Sequence, residues 1–177
     1  MRALFTERHW KASDGSHLPI LTRLVLATMN EGPILELGTG FFSTPVLHWL
    51  CAPTKRRLVS YESQQKYFAV ASNYLADFHE VHLVEDWAAI DIESSHWDIV
   101  LVDHGPGPQR KVEFARVANN ADYVVVHDTE QRNDQYYHFS EVTPFYRYRC
   151  DYTDLYPNTS VFSNLKDLSN LPELLKL

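Results

Sequence analysis

Two glycines follow the first strand-like segment of this chain and allow its backbone to approach a ligand closely. They lie in the run Glu36-Leu37-Gly38-Thr39-Gly40-Phe41-Phe42-Ser43. Glycine permits a sharp turn, and a helix N-terminus after it offers free N–H groups to an anion. Glu62 ends the next strand-like segment, where a carboxylate can accept hydrogen bonds from two ribose hydroxyls. The pattern predicts a site for a nucleotide-like ligand.

Acids and histidines end two later strand-like segments. Asp103-His104 follows one, and His127-Asp128 ends the next. Because the carboxyl ends of parallel strands meet at one sheet edge, we expect these four residues to flank the same cleft and to be the catalytic residues. Neutral imidazole accepts a proton near pH 7, so His104 and His127 are the candidate general bases.

Alternating strand-like and helix-like segments must position these residues. The predicted strands are 33–38, 57–62, 81–85, 98–103 and 122–127, and the predicted helices are 18–30, 44–50 with Ser43 as N-cap, 64–77 and 109–119. Unbroken apolar cores in the last two strands are typical of a parallel sheet covered on both faces. The alternation predicts an α/β, doubly wound fold with right-handed crossovers.

The C-terminal part breaks this alternation. Segments 145–150 and 159–163 are strand-like with only a short loop between them, which permits antiparallel pairing alone. We therefore expect a Rossmann-like, mostly parallel seven-stranded sheet that ends in an antiparallel hairpin, with helices on both faces. The chain is interpreted as one domain, 1–177, with 1–17 as an N-terminal lid. The leucine-rich tail 164–177 fits packing on the domain better than a homodimer contact.

Composition excludes several classes of function. The chain has 177 residues and a net charge of −7, which disfavours nucleic acid and anionic membrane surfaces as partners. Its two distant cysteines form neither a disulfide framework nor a zinc knuckle. There is no apolar stretch of membrane-spanning length, and the first ten residues lack the apolar core of a signal peptide. A cytoplasmic location is the expectation.

The glycine turn distinguishes between nucleotide ligands. A dinucleotide fingerprint has a third glycine where this chain has Ser43, and no Walker lysine is present. The acid-x-Gly-x-Gly form that begins at Glu36, together with the antiparallel ending, resembles the class I S-adenosylmethionine (SAM)-dependent methyltransferases. The likeness is nearest to the small catechol-type and sugar O-methyltransferases and covers about residues 18–165.

The resemblance implies SAM as cofactor. It places the turn beneath the methionine part, Glu62 on the ribose and Asp103 near the transferred methyl. Asp86 and Trp87 would lie beside the adenine, with the indole as a stacking surface. The implied cofactor-binding residues are Glu36, Gly38, Thr39, Gly40, Phe41, Ser43, Glu62, Ser63, Asp86, Trp87 and Asp103.

The same resemblance implies a magnesium ion on Asp103 and Asp128. In the catechol-type enzymes, acids at these two strand ends hold the ion, which lowers the pKa of the substrate hydroxyl. This chain departs from the pattern at Thr129, where an asparagine is expected, and it lacks the lysine base. Without a metal, His104 or His127 takes the role of base.

The remaining segments bear on the substrate. The loop 105–110 should rim the cleft, and segment 129–144 either covers the cleft as a lid or covers the sheet edge. For Arg110, at the start of a helix, we favour a solvated position over contact with an anionic substrate group. The expected reaction is methyl transfer to a hydroxyl of a small molecule or sugar. An NAD-linked oxidoreductase and a non-catalytic SAM-binding or partner-binding module are the alternatives.

Overall fold

A seven-stranded sheet forms the centre of the computed structural model, which describes residues 12–29 and 32–175. The strand order is β3-β2-β1-β4-β5-β7-β6; β7 runs antiparallel to both of its neighbours, and the other six strands run in one direction. This confirms the predicted sheet and its antiparallel ending. The strands are β1 (Ile34–Leu37), β2 (Leu58–Glu62), β3 (His79–Leu83), β4 (Trp97–Val102), β5 (Ala121–His127), β6 (Tyr148–Tyr152) and β7 (Thr159–Ser163).

Helices connect the strands and flank the sheet. The longest, α1, carries Pro19 in its first turn, where proline is well tolerated. Within residues 12–29 and 32–175, seven short turns of 3-10 helix supplement the α-helices. The α-helices are α1 (Leu18–Ala27), α2 (Ser43–Cys51), α3 (Gln65–Ala71), α4 (Arg110–Arg116), α5 (Asp134–Tyr137) and α6 (Leu171–Leu175). Among the described residues, no helix has the length and apolar character needed to cross a membrane.

The apolar core is split between the two faces of the sheet. In β4, Val100 and Val102 join the cluster on one face, whereas Ile99 and Leu101 join the cluster on the other. All six residues of β4 are buried, as the unbroken apolar run predicted. In the tail, Leu168 packs into the second cluster, which confirms the predicted packing.

Several predicted boundaries were wrong for local reasons. Predicted helix 18–30 ends at Ala27, and position 30 lies outside the described residues. Predicted helix 64–77 ends as an α-helix at Ala71, because Ser72 and Asn73 bond back to carbonyls of its last turn, and a short 3-10 turn follows. Predicted strand 81–85 begins instead at the fully buried His79, whose ring bonds to the Ser60 hydroxyl.

The predicted position of β6 and the predicted N-cap of α2 were also wrong. Predicted strand 145–150 lies at Tyr148–Tyr152, because Pro144 belongs to a 3-10 turn that ends at Phe145. Ser43 is not the N-cap of α2 but its first residue. Its side chain instead opposes the rise that burial causes in the pKa of the Glu36 carboxyl.

A buried ion pair joins the amino ends of the strands. The Arg56 guanidinium donates to Asp98 at 2.9 Å and to the Gly32 carbonyl at 2.8 Å, and the Arg56 and Asp98 side chains are 2% and 8% exposed. The next residue, Arg57, pairs with Glu80 at a similar distance but with both side chains about half exposed. These adjacent arginines differ in burial and in hydrogen bonding, since Arg56 also donates to the Val25 carbonyl and the Thr28 hydroxyl.

We expect Arg56→Ala to lower the free energy of unfolding by about 3–5 kcal/mol, because it leaves Asp98 buried without its cation. The matched control Arg57→Ala should cost no more than about 1 kcal/mol, since its pair is solvated. Urea unfolding of both variants measures the difference. Equal losses would show that the Arg56 pair does not stabilise the fold as described.

A second buried group lies beneath the first strand. Glu36 is fully buried, and its carboxyl accepts hydrogen bonds from Thr44 at 3.0 Å and Ser60 at 2.6 Å. Burial raises its pKa to about 7, although the hydroxyl donors oppose this shift. In the unfolded chain a glutamate titrates at its ordinary value of about 4.5.

Because the folded-state pKa is raised, the stabilising contribution of Glu36 is complete below pH 4.5 and is lost as pH rises through 7. Its ionisation should cost the fold about 3 kcal/mol at pH 8. We expect Glu36→Gln to become more stable relative to the unsubstituted chain as pH rises from 5 to 8. Urea unfolding of both proteins across this range is the measurement, and a pH-independent difference would contradict it.

Candidate functional site

A cleft opens at the carboxyl edge of the sheet, where the strand order reverses between β1 and β4. In open α/β sheets, ligands bind at this point. Its volume of about 320 Å³ is at the lower end of the range for small-molecule sites. The lining residues are Ser13, Asp14, Thr39, Gly40, Phe41, Phe42, Glu62, Gln64, Tyr67, Asp103, Gly105, Arg110, His127, Asp128 and Pro157.

The two glycines of the first turn have different roles. Gly38 has a φ of +97°, and a Cβ there would lie 2.5 Å from the backbone of His104, so the fold itself requires glycine. At Gly40, a Cβ would have no neighbouring atom nearer than 3.9 Å. Nothing in the fold therefore crowds Gly40, and its missing side chain leaves room in the cleft.

Glu62 is held in place at the end of β2. One oxygen accepts from the Thr39 backbone N–H at 2.9 Å and from the Thr39 hydroxyl at 3.0 Å, and the other accepts from the Gln64 N–H at 2.7 Å. The residue is only 2% exposed, yet it lines the cleft. These contacts fix the Glu62 carboxyl group beside the glycine turn.

Arg110 bridges the two acids predicted to hold magnesium. Its guanidinium contacts Asp103 Oδ1 at 2.9 Å and Asp128 Oδ2 at 2.8 Å, while Nε donates to the His104 carbonyl at 2.6 Å. The side chain is 11% exposed, so the expectation of a solvated arginine was wrong. The physical reason is that two carboxylates converge on the first turn of α4.

The bridging guanidinium bears directly on the magnesium prediction. A divalent ion shared by Asp103 and Asp128 would have to lie where the Arg110 guanidinium lies, so this pair does not fit the ion. Burial would raise the pKa of Asp103, but Arg110 and then His127 hold it well below its usual range. Asp103 is thus an anion and a weak proton acceptor.

Contacts at both ring nitrogens orient the His127 side chain. Ser16 donates its only hydroxyl hydrogen to the Pro157 carbonyl at 2.6 Å, so it must accept a hydrogen from His127 Nε2 at 2.8 Å. Nδ1 therefore faces Asp103 Oδ1, at 3.3 Å. Burial lowers the pKa of His127, but the Asp103 charge outweighs it and the pKa lies above its ordinary value.

His17 lies against His127 without a hydrogen-bond partner. The two rings make an edge contact with centroids 4.8 Å apart. His17 is 2% exposed, and neither of its ring nitrogens hydrogen-bonds to any described residue. Burial lowers its pKa to about 4, so the ring is neutral at physiological pH.

The structure does not bring every sequence-predicted residue to the cleft. His104 is buried, stacks on the Trp87 indole and points its Nε2 toward Glu113 at 3.1 Å, so its ring faces the core rather than a substrate. Trp87 is 4% exposed and donates to the Gly105 carbonyl, so it offers no open face to an adenine. The other predicted residues outside the lining are Glu36, Gly38, Ser43, Ser63 and Asp86.

Several lining residues were missed in the sequence. Gln64 and Tyr67 follow Glu62 at the start of α3, and the Tyr67 ring makes an edge contact with Phe41. Ser13 and Asp14 come from the segment predicted as a lid, in which no residue was singled out. Their spacing from the glycine turn carries no motif, so only the folded chain relates them to it.

Segment 129–144 forms short helices beside the cleft. The Tyr137 hydroxyl donates to Asp128 Oδ2 at 2.9 Å, and the Arg110 guanidinium lies 4.9 Å from the Tyr137 ring centre. A Cβ on Gly107 would lie 2.5 Å from Tyr136 and 2.7 Å from Tyr137, so glycine allows this close approach. The segment thus helps to fix the Asp128 carboxylate.

Comparisons with known proteins give matches in structure only. No family model matches the sequence, and no curated protein matches it. A putative O-methyltransferase from Klebsiella pneumoniae superposes with a TM-score of 0.64 at 13% identity, over 90% of this chain and 83% of the other.

Two further structures superpose over similar lengths. The O-methyltransferase TomG from Streptomyces achromogenes, in complex with SAM, gives a TM-score of 0.60 at 20% identity and covers 91% of this chain and 83% of its own. Human methyltransferase-like protein 13, in complex with S-adenosylhomocysteine (SAH), gives a TM-score of 0.62 at 16% identity and covers 90% of this chain and 86% of its own. This chain therefore has the fold of the class I SAM-dependent methyltransferases.

Proposed function

We propose that this chain binds SAM in the cleft and transfers its methyl group to a hydroxyl of a small molecule or sugar. The carrying observation is the anchored Glu62 carboxylate beside a glycine turn in which Gly40 faces open space. This arrangement supports a ligand with a ribose and a group that approaches the backbone closely. Two of the structural neighbours described above are named as O-methyltransferases and one holds SAM, which supports the same donor.

One end of the cleft suits the methyl donor, and the other end suits the methyl acceptor. With the ribose at Glu62, the methionine part would extend past Gly40 toward Asp103, whose anionic carboxylate would favour the positive sulfonium. The acceptor hydroxyl would then lie at the end formed by His17, Asp103 and His127. As its oxygen bonds to the methyl carbon, the C–S electron pair returns to sulfur, and His127 Nδ1 would accept the hydroxyl proton.

Each side chain has a separable task in this proposal. Glu62 would bind the ribose, and Arg110 would hold Asp103 ionised and in place. His127, fixed by Ser16, would orient the acceptor hydroxyl and accept its proton at Nδ1. Tyr137 and the helices around it would exclude water from this end.

A pair of glycine variants tests where the ligand approaches. We expect Gly40→Val to fold with nearly unchanged stability and to bind S-adenosylhomocysteine, the demethylated product, at least tenfold more weakly. The reason is that its side chain projects into the cleft rather than into protein. Calorimetric titration gives the affinity, and urea unfolding gives the stability.

The matched variant Gly38→Ala should lose stability, which Gly40→Val retains. It forces a Cβ onto backbone at positive φ, so we expect a loss of at least about 2 kcal/mol of stability. A folded Gly40→Val that binds the product as tightly as the unsubstituted chain would contradict the proposed ligand position.

The catalytic end is tested with His127. We expect His127→Ala to bind S-adenosylhomocysteine within about twofold of the unsubstituted chain and to lose at least about 100-fold in methyl transfer. Transfer of a tritiated methyl group to a panel of hydroxylated small molecules measures turnover. The control His96→Ala removes a half-exposed histidine and should leave turnover unchanged.

The outcomes separate the alternatives. Turnover with amine acceptors alone would contradict hydroxyl specificity. Tight binding of S-adenosylhomocysteine without transfer to any acceptor would favour a SAM-binding module. Preferential binding of NAD would favour the oxidoreductase.

A further inference from the structure

We infer that His17, Asp103 and His127 form a binding site for a divalent transition-metal ion, such as zinc, at the acceptor end of the cleft. Each residue offers one ligand atom, and these atoms lie within 4.8 Å of one another. Two imidazole nitrogens and one carboxylate oxygen suit a first-row transition ion, whereas magnesium and calcium prefer oxygen ligands alone. This site differs from the magnesium pair Asp103–Asp128, in which Arg110 replaces the cation.

His17 provides the independent observation. A buried imidazole with no hydrogen-bond partner on either nitrogen loses its hydration without compensation, which is costly in a folded protein. A metal ion at the cluster would give one of its lone pairs a partner. The ring is packed against His127, so the unpartnered side chain already lies at the proposed site.

The second ligand, His127, is oriented as metal-binding histidines are. Its Nε2–H is held by Ser16, which is itself fixed by the Pro157 carbonyl, and this leaves Nδ1 beside Asp103. Ligating histidines commonly donate their other ring N–H to such a partner, which fixes the tautomer and the ring direction. Ser16 and His17 are adjacent, so one short segment supplies both the third ligand and this orienting contact.

Charge and distance favour a cation at this point. The carboxylates of Asp103 and Asp128 exceed the single positive charge of Arg110, and an ion at His127 Nδ1 would displace the proton that the Asp103 charge favours there. Ligand atoms about 2.1 Å from one tetrahedral ion lie about 3.4 Å apart. An inward movement of the side chains by about 1 Å would therefore complete a three-ligand site with open positions toward the cleft.

Titration of the full chain with Co²⁺ and Zn²⁺, without methyl donor or acceptor, tests the inference. We expect one Co²⁺ per chain with visible absorption bands, and zinc should raise the melting temperature by mass action. His17→Ala and His127→Ala should each weaken binding at least tenfold, and Ser16→Ala about tenfold. The control His96→Ala removes a histidine from a separate His/Asp cluster and should leave this affinity unchanged.

X-ray absorption at the zinc edge of the zinc-loaded, unsubstituted protein gives a test that does not depend on whether the variants fold. The expected spectrum shows two imidazole ligands. Absence of binding, a spectrum without two imidazoles, or a folded His17→Ala with full affinity would overturn the inference. The ion would occupy the His127 Nδ1 atom that the proposed function assigns to the acceptor proton, so the two roles are alternatives at one site. Since no readout here involves SAM, failure of the metal site and failure of methyl transfer are observed separately.

Discussion

The reversal of strand order between β1 and β4 is the constraint on which the rest of the site depends. Because six strands point the same way, the segments after β1, β2, β4 and β5 all emerge at one edge of the sheet. Residues far apart in sequence, such as Glu62 and His127, therefore line one cleft. The two apolar clusters on the faces of the sheet hold these strand ends in fixed register.

At the carboxyl edge of the sheet this convergence has an electrostatic consequence. Parallel strands bring Asp103 and Asp128 close together, and two ionised carboxylates in a partly buried place repel each other unless a cation lies between them. Here the cation belongs to the chain itself, because Arg110 reaches both acids from the first turn of α4. The likeness to catechol-type enzymes in sequence pattern thus does not extend to this ion site.

Features that depend on the local sequence pattern, such as strand positions, were predicted. Features that depend on the direction of a side chain were mostly not. Apolar runs located β4 and β5, and the pattern of the glycine turn and Glu62 predicted residues that line the cleft. Sequence does not show whether Asp103 or its neighbour His104 faces the ligand, and the ring of His104 faces the core. Arg110 was expected to be solvated and His17 was not singled out, because no sequence motif relates either residue to its partners.

A crystal structure of the full chain with S-adenosylhomocysteine tests the proposed ligand position most directly. We expect both ribose hydroxyls within hydrogen-bond distance of the Glu62 carboxylate, about 2.5–3.0 Å. We also expect the homocysteine part against Gly40, with its sulfur toward Asp103 and His127. A ligand bound elsewhere, or one whose ribose makes no contact with Glu62, would contradict it.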